Sequence, residues 1–445
     1  MGKTYRTWDV DQKWLLPPSV HDFVAADHPA HLVREIVRSE LNLKAVLEPY
    51  ERELRGYPPY HPAMMVTLLL YAYSRGVYSS RAIARACEER LDFLAVTAMQ
   101  RPDFRTISEF RRRHLEALSA LFAQVLELCR QAGLVKLGHV ALDGTKLKAN
   151  ASRHKAMSYG RMKQREGELA QEVADWLEKA EQADAAEDAE HGEASGDEMP
   201  DWMADRQARL ARLREAKAAL EAEAAAPPPK DDGTGPGPSS GMMDKGRPRR
   251  AADGGPPDKA QRNFTDPDSR ILKTREGFVQ GYNGQIAVDG HRQVITAHRL
   301  TTNAADYAGL TPLVEDTRRL CRRKPRAVSG DAGFCNEDNL AALEARRIDG
   351  YLMPGRARHN RRGDTGARQI APGSRMAKMD AKLRRAGHRS SYRLRKQIVE
   401  PVFGQIKAAR GFRQFLLRGY DKVRHEWALI CTVHNLTKLL AARTS

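Results

Sequence analysis

The chain has 445 residues, enough for two ordinary cores or for one core with a long excursion. Its 74 Lys and Arg outnumber 57 Asp and Glu, for a formal charge of +17, which favours a polyanionic partner because each neutralised phosphate releases counterions. Five scattered cysteines with no C-x-x-C pair exclude a disulfide framework and the common zinc and redox motifs. No secretory h-region and no apolar run of roughly 18 residues is present, so a soluble intracellular protein is expected.

Residues 1–136 read as helical. "HPAMMVTLLLYAYSRGV" and "HLEALSALFAQVLELCRQAG" carry apolar residues at helical spacing, the second closing on Gly133 as a C-cap. In "SSRAIARACEERLDF" Ser79 or Ser80 can cap a helix that exposes Arg81 and Arg85, and in "RPDFRTISEFRRRH" Thr106 or Ser108 can cap one that carries Arg111, Arg112 and Arg113. Arg81, Arg111 and Arg112 are therefore candidates for DNA phosphate contact, against the alternative of a solvated helix face.

A strand follows at 138–149, "HVALDGTKLKA"-like in pattern, with Asp143 near its middle and Lys146 and Lys148 beyond it. From about 155 to 226 the chain is rich in Ala, Glu, Lys, Arg and Gln and predicts a helical hairpin with little core. The Pro- and Gly-rich stretch after it predicts disorder. Strand patterns resume at 277–289 and 293–301, the three strands being expected to run antiparallel. A helix over "AADYAGLTPLVEDTRRLC", a short strand ending near Asp331, a helix over "NEDNLAALEARR" and a strand at "DGYLMP" complete the pattern. The expected fold class is α/β: a mixed sheet flanked by helices, preceded by an all-α N-terminal domain and interrupted by a helical and disordered insertion. The division is 1–136, then 137–150 with 263–445, with 151–262 as the insertion.

Asp143 and Asp331 would lie on different strands of one sheet. Neighbouring carboxylates repel and desolvate one another, so a pair needs a compensating cation. Two divalent ions supply that charge and can act on both oxygens of a phosphodiester displacement, and Mg²⁺ takes oxygen ligands while keeping several waters. An Asp before Gly is alone more often a turn residue, so a third acid matters. Glu400 meets that need in "YRLRKQIVEPVFGQIKAARGF", where it lies in an apolar-periodic segment ahead of Lys407 and shares a helix face with it.

Taken together, these motifs resemble bacterial insertion-sequence transposases of the DDE class, whose catalytic domain is RNase H-like. The resemblance covers most of the chain outside the insertion. It rests on Asp143-Gly144-Thr145 as the "DGT" acid, Asp331-Ala332-Gly333 as the "DAG" acid, and Glu400 with Lys407 as the E-x6-K half of a Tyr/Arg/Glu/Lys signature; "YHPAMMVTLLLYAYSRGVYSSRAIARACEERLDF" matches the helical domain this branch carries first. The resemblance implies that Asp143, Asp331 and Glu400 are catalytic and bind two Mg²⁺, with Mn²⁺ a substitute. It implies that Lys407, Tyr392 and either Arg395 or Lys396 hold DNA, with Lys146 facing or flanking it. It further implies double-stranded terminal inverted repeats and target DNA as partners, a homodimer in the active complex, and a place in the bacterial nucleoid.

Three departures stand out. Tyr392-x2-Arg395 is present, but Arg395 precedes Glu400 by one position too many, and Lys396 takes the usual slot. Pro401 directly after Glu400 should start or kink the helix. The two aspartates are far apart for a compact core, which the insertion explains. Elsewhere, Tyr282 and Asn283 read as structural rather than DNA-contacting, Asp306 as an acid that complements a helix dipole, with assistance at the metal site as the alternative, and residues 358–385 as a flexible basic run. No zinc-hydrolase histidine pattern occurs. The expected function is Mg²⁺-dependent cleavage and strand transfer; the competing readings are a nuclease without joining and an inactive, domesticated DNA-binding derivative.

Overall fold

In the computed structural model, placement is described for residues 19, 24–52, 58–191, 201–225, 255–274, 277–354, 370–387 and 390–444, with backbone alone for 176–191 and 201–204. Two helices near the start share a His-Pro-Ala opening: α1 (Pro29–Ser39) and α3 (Pro62–Ser74), on either side of α2 (Lys44–Arg52). In each, the His Nδ1 accepts from the Ala amide and proline takes the first turn, where its missing N–H forgoes no helical bond. α4 (Ser80–Glu89) starts on Ser79, whose Oγ accepts from Ala82 N–H, and α5 (Leu91–Thr97) follows directly. α6 (Phe104–Arg113) is capped by Asp103 through Arg105 N–H at 2.7 Å, not by Thr106 or Ser108, which lie inside it. α7 (Leu115–Gln131) stops at Gly133 as expected: its φ of +71° lets Leu134 N–H return to the Cys129 carbonyl.

β1 (His139–Lys148) then enters the sheet. The insertion leaves it through β2 (Ala156–Ser158), rises as α8 (Tyr159–His191), returns as α9 (Asp201–Ala225) and closes through β3 (Gln261–Asn263), which pairs with β2. The helical hairpin has its own small core of Tyr159, Met162, Leu213, Ala216, Leu220 and Ala260. Most of the stretch read as disordered, 227–262, lies outside the described residues; its last two, 261 and 262, are strand.

Five further strands complete the main sheet: β4 (Arg270–Thr274), β5 (Gly277–Asp289), β6 (Ile295–Thr301), β7 (Ala327–Gly330) and β8 (Asp349–Leu352). The order is β4-β5-β1-β7-β8, with β6 also on β5. β1, β5 and β6 are antiparallel, as expected, while β7 runs parallel to β1 and β8 to β7. β4 is a short partner of β5 that the sequence pattern leaves unassigned. Helices α10 (Leu310–Cys321), α11 (Glu337–Ala345), α12 (Arg375–Ala386), α13 (Leu394–Gly404) and α14 (Tyr420–Arg443) flank this sheet. A mixed sheet flanked by helices, behind a helical N-terminal region, is the RNase H-like architecture expected from the sequence.

Two helix expectations change. Residues 375–386 of the basic run form α12, capped by Ser374, while 358–369 lie outside the described residues. Pro401 neither starts α13 nor ends it. The carbonyl that a proline strips of its helical donor belongs to Gln397, and it accepts instead from Gln293 Nε2 at 3.1 Å. Past Gly404 the helix widens into a π-helical turn, Gln405–Ala409, that carries Lys407.

The apolar core runs without a break from α1–α7 into the sheet and α14. Phe122 of α7 meets the His298 ring of β6 edge-on at 4.4 Å, and Arg443 at the end of α14 pairs with Glu40 beyond α1. All five cysteines are buried and reduced. No helix among the described residues is long and apolar enough to cross a membrane.

Candidate active site

The end of the β1–β7 pairing sets the site. The last parallel pair is Ala141 with Ser329, and Asp143 and Asp331 each follow two residues later. With a strand period of two, Asp143 keeps the face of Ala141. Asp331, in extended backbone just past β7, opens a 3-10 turn whose Gly333 N–H bonds its Oδ1 at 2.9 Å. Two neighbouring strands therefore deliver two acids to one notch in the sheet.

α13 crosses that notch. Arg395 Nη1 donates to Asp143 Oδ2 at 3.0 Å, with both side chains largely buried, and the guanidinium lies 5.9 Å from the Tyr392 ring. Burial pushes the Asp143 carboxyl up to about 6; Arg395 opposes that rise and the charge of Asp331 adds to it. Burial likewise raises Asp331, with Asp306 adding and Arg395 and Lys146 opposing. Burial works against the Arg395 charge, yet Asp143 foremost, then Tyr392 and Asp331, hold its ionisation above the usual arginine range.

The opposite face of β1 carries Gly144 and Lys146. Their β5 partners are Gln285 and Asn283, and both amides donate to Asp306 Oδ1, at 2.9 and 2.7 Å. Lys146 Nζ donates to the Ala304 carbonyl at 2.9 Å and lies 3.7 Å from the same Asp306 oxygen. A Cβ at Gly144 would stand 2.4 Å from Asp306 Oδ1, and one at Gly333 would stand 3.3 Å from its Oδ2. The glycines of both Asp motifs thus clear space for a third carboxylate. Burial pulls the Lys146 ammonium down, and the three aspartates counter it, Asp306 most.

The family of the chain follows from two matches. A model described as a transposase domain (DUF772) matches residues 18–113, and one described as a transposase DDE domain matches 259–436. The chain belongs to the DDE transposases. Together the matches span more than half of it; Asp331 and Glu400 lie inside the second, and Asp143 precedes it. No curated protein and no solved structure matches. Transposases of this family act on DNA and generally use a divalent metal.

Whether this transposase's residues suit such an ion can be judged from its donors. Around the end of β1 the donors are hard oxygens only: the Asp143 carboxylate on one face, Asp306 and Asn283 Oδ1 on the other, and Asp331 just past β7, Asn283 Oδ1 being a buried oxygen with no hydrogen-bond partner among the described residues. Oxygen donors of this kind suit Mg²⁺ or Mn²⁺. Three carboxylates face two cations, Arg395 and Lys146, so one negative charge is left over. The fit is one of chemistry and charge: among the described residues no three acids, histidines or cysteines stand close enough together to grip an ion.

The other residues singled out from the sequence divide. Glu400 does not join the aspartates: it is exposed on α13, five positions from the inward-facing Arg395, and Lys396 is exposed near it. Arg395 is engaged with Asp143 rather than standing ready for phosphate. Lys407 Nζ donates to the Lys146 carbonyl at 2.9 Å, which ties the π-helical turn to β1. Lys146 points inward to Asp306, a correction to its reading as a DNA-facing residue, whereas Lys148 is exposed.

Arg111 is also corrected. It is buried, and donates to Tyr73 Oη, the Tyr78 carbonyl and Ser80 Oγ at 3.0–3.2 Å, so it braces α3, α4 and α6 and cannot reach DNA. Arg112 is exposed and paired with Glu109; Arg81 is exposed with its guanidinium 5.0 Å from the Phe104 ring. Both line an open cavity of about 530 Å³ between α4 and α6. Tyr282 is structural as read, donating to Asp266 in the core.

Asp306, expected to complement a helix dipole or to assist the metal site, makes no side-chain cap bond; its Oδ1 accepts from Asn283 and Gln285. The signal available in the sequence was Asn283 and Gln285, two amides at alternating positions of an otherwise apolar strand, which need a polar partner once buried.

Proposed function

We propose that this transposase cleaves phosphodiesters at transposon ends and joins the freed 3′-hydroxyl to target DNA. The reading is carried by one observation, the delivery of Asp143 and Asp331 to a single notch by two neighbouring parallel strands. Two Mg²⁺ ions, replaceable by Mn²⁺, would supply Lewis acidity toward the attacking and leaving oxygens. Asp143 and Asp331 would hold that charge from the sheet, and Glu400, exposed on α13 and apart from them here, would have to swing inward to complete the set. Arg395, when it leaves Asp143, turns to a DNA phosphate, with Lys396, Lys407 and Tyr392 flanking it.

In this reading residues 1–136 bind the transposon end and contribute to a homodimer, with Arg81 and Arg112 on phosphate. Residues 137–150 and 263–445 form the catalytic domain, and 151–262 form an insertion. The partners are the terminal inverted repeats and a target duplex.

The test uses labelled DNA carrying the sequences that flank the reading frame. The full chain with Mg²⁺ cuts it and produces strand-transfer products, while Asp143→Asn binds the same DNA without cutting. Normal cleavage by that variant overturns the assignment, and cleavage without joining identifies a nuclease instead. The exposure of Glu400 away from the aspartates favours one other reading, an inactive transposase-derived DNA-binding protein. Binding without any cleavage by the wild-type chain selects it.

A further inference from the structure

Asp306 occupies a position that two separate motifs have been cleared to admit. At Gly144 any Cβ would meet its Oδ1 at 2.4 Å and its Cγ at 3.0 Å, and at Gly333 any Cβ would meet its Oδ2 at 3.3 Å. Asn283, Gln285 and Lys146 all approach Oδ1, which leaves Oδ2 turned to the Asp331 turn. A carboxylate placed here is unfavourable in itself, because Asp331 and Asp143 stand nearby and like charges in a half-buried notch repel. A neutral amide would satisfy the same donors without that repulsion.

A second observation points to a ligand. Asn283 is fully buried and its amide nitrogen serves two acceptors, the Asn303 carbonyl and Asp306, which fixes the orientation of the group. Its oxygen is then left without a partner among the described residues. That oxygen lies 3.0 Å from the Cβ direction of Gly144, the same point that Asp306 faces. An oxygen buried without a donor is costly, and a cation or its water would satisfy it.

We propose that Asp306 is a positioning residue of the cation site, seated over Gly144 and facing the Asp331 turn, where its charge draws a divalent ion to the Asp143–Asp331 pair. The inference rests on the proposed metal-dependent function. It explains why Lys146 is turned inward: with Arg395 it balances the notch until an ion arrives.

The experiment is a Mn²⁺ titration of the full chain without DNA, followed by electron paramagnetic resonance of the free ion, beside thermal unfolding of each variant. Asp306→Asn keeps an oxygen for both amides and removes only the charge. It should fold normally and bind Mn²⁺ at least about fivefold more weakly, since a unit charge within a Debye length acts with little screening in a half-buried site. Should it fold poorly, Asp306→Ser is read in the same way. Wild-type affinity in these variants, with Asp143→Asn impaired, overturns the role of Asp306 and leaves the functional reading standing. Wild-type affinity in Asp143→Asn, or no Mn²⁺ binding by the wild-type chain, overturns both.

Discussion

Arg395 and Asp143, 252 positions apart in the chain, form an ion pair of 3.0 Å between α13 and β1. Removing one partner of a buried pair leaves the other charge uncompensated, at roughly 3–5 kcal/mol. Arg395→Ala should therefore destabilise the protein by about that much at pH 8. The Asp143 carboxyl is raised to about 6, above its unfolded value, so it favours the folded state at low pH and loses that contribution as pH rises through about 6. The penalty for Arg395→Ala should shrink at pH 5, where Asp143 takes a proton. Urea unfolding at the two pH values checks this; an equal penalty at both contradicts it.

Glu426 gives a second pH effect, away from the site. Fully buried on α14, it accepts from Leu416 and Leu417 N–H, and burial pushes its carboxyl up to about 7. A group raised on folding contributes stability below its unfolded value, near 4.5, and loses it as pH climbs through the folded value. Glu426→Gln should flatten the fall in melting temperature between about pH 5 and 8. A variant with the wild-type pH profile would show that another group governs it.

The two neighbouring arginines of α6 should separate cleanly. Arg111→Ala removes three buried hydrogen bonds and should cost roughly 1.5–3 kcal/mol, with DNA binding by the folded fraction unchanged. Arg112→Ala should leave the melting temperature as it is and reduce the salt dependence of DNA binding by about one ion. Binding isotherms at several salt concentrations, read beside melting curves, would expose a reversed pattern.

Gly144→Ala tests the clearance above β1. The added methyl meets Asp306 and Asn283 oxygens at 2.4 and 3.0 Å, an overpacking expected to cost about 1–3 kcal/mol. An alanine variant as stable as the wild type in urea would mean that Asp306 moves aside freely.

Much of this was legible before any geometry. β5 and β6 announce themselves by β-branched residues between turn formers, β1, β7 and β8 by short apolar runs, and α7 by its apolar stripe and Gly133. β4 did not, because five residues paired at one end of a longer strand carry no periodic pattern of their own. At the site, Asp143 and Asp331 could be named from their glycine contexts. Asp306 was legible only as the second choice behind a role at a helix start, since a carboxylate in a short loop looks the same whether it caps a turn or faces two others. Nor could the inward aim of Arg111, which follows from packing among α3, α4 and α6. The spacing of Glu400 and Lys407 assumed a regular helix, whereas the π-helical turn alters their relation.

The ion pair between Arg395 and Asp143 also has a meaning for biosynthesis. At roughly 5–20 residues per second, a nascent chain carries Asp143 for about 10–50 s before its counter-charge is made. β1 meanwhile waits for β5, beyond the whole insertion, to supply its antiparallel partner. A chain released early, short of α13, would hold two half-buried acids without the arginine that pairs with Asp143. Chains that end before α13 should therefore fold poorly.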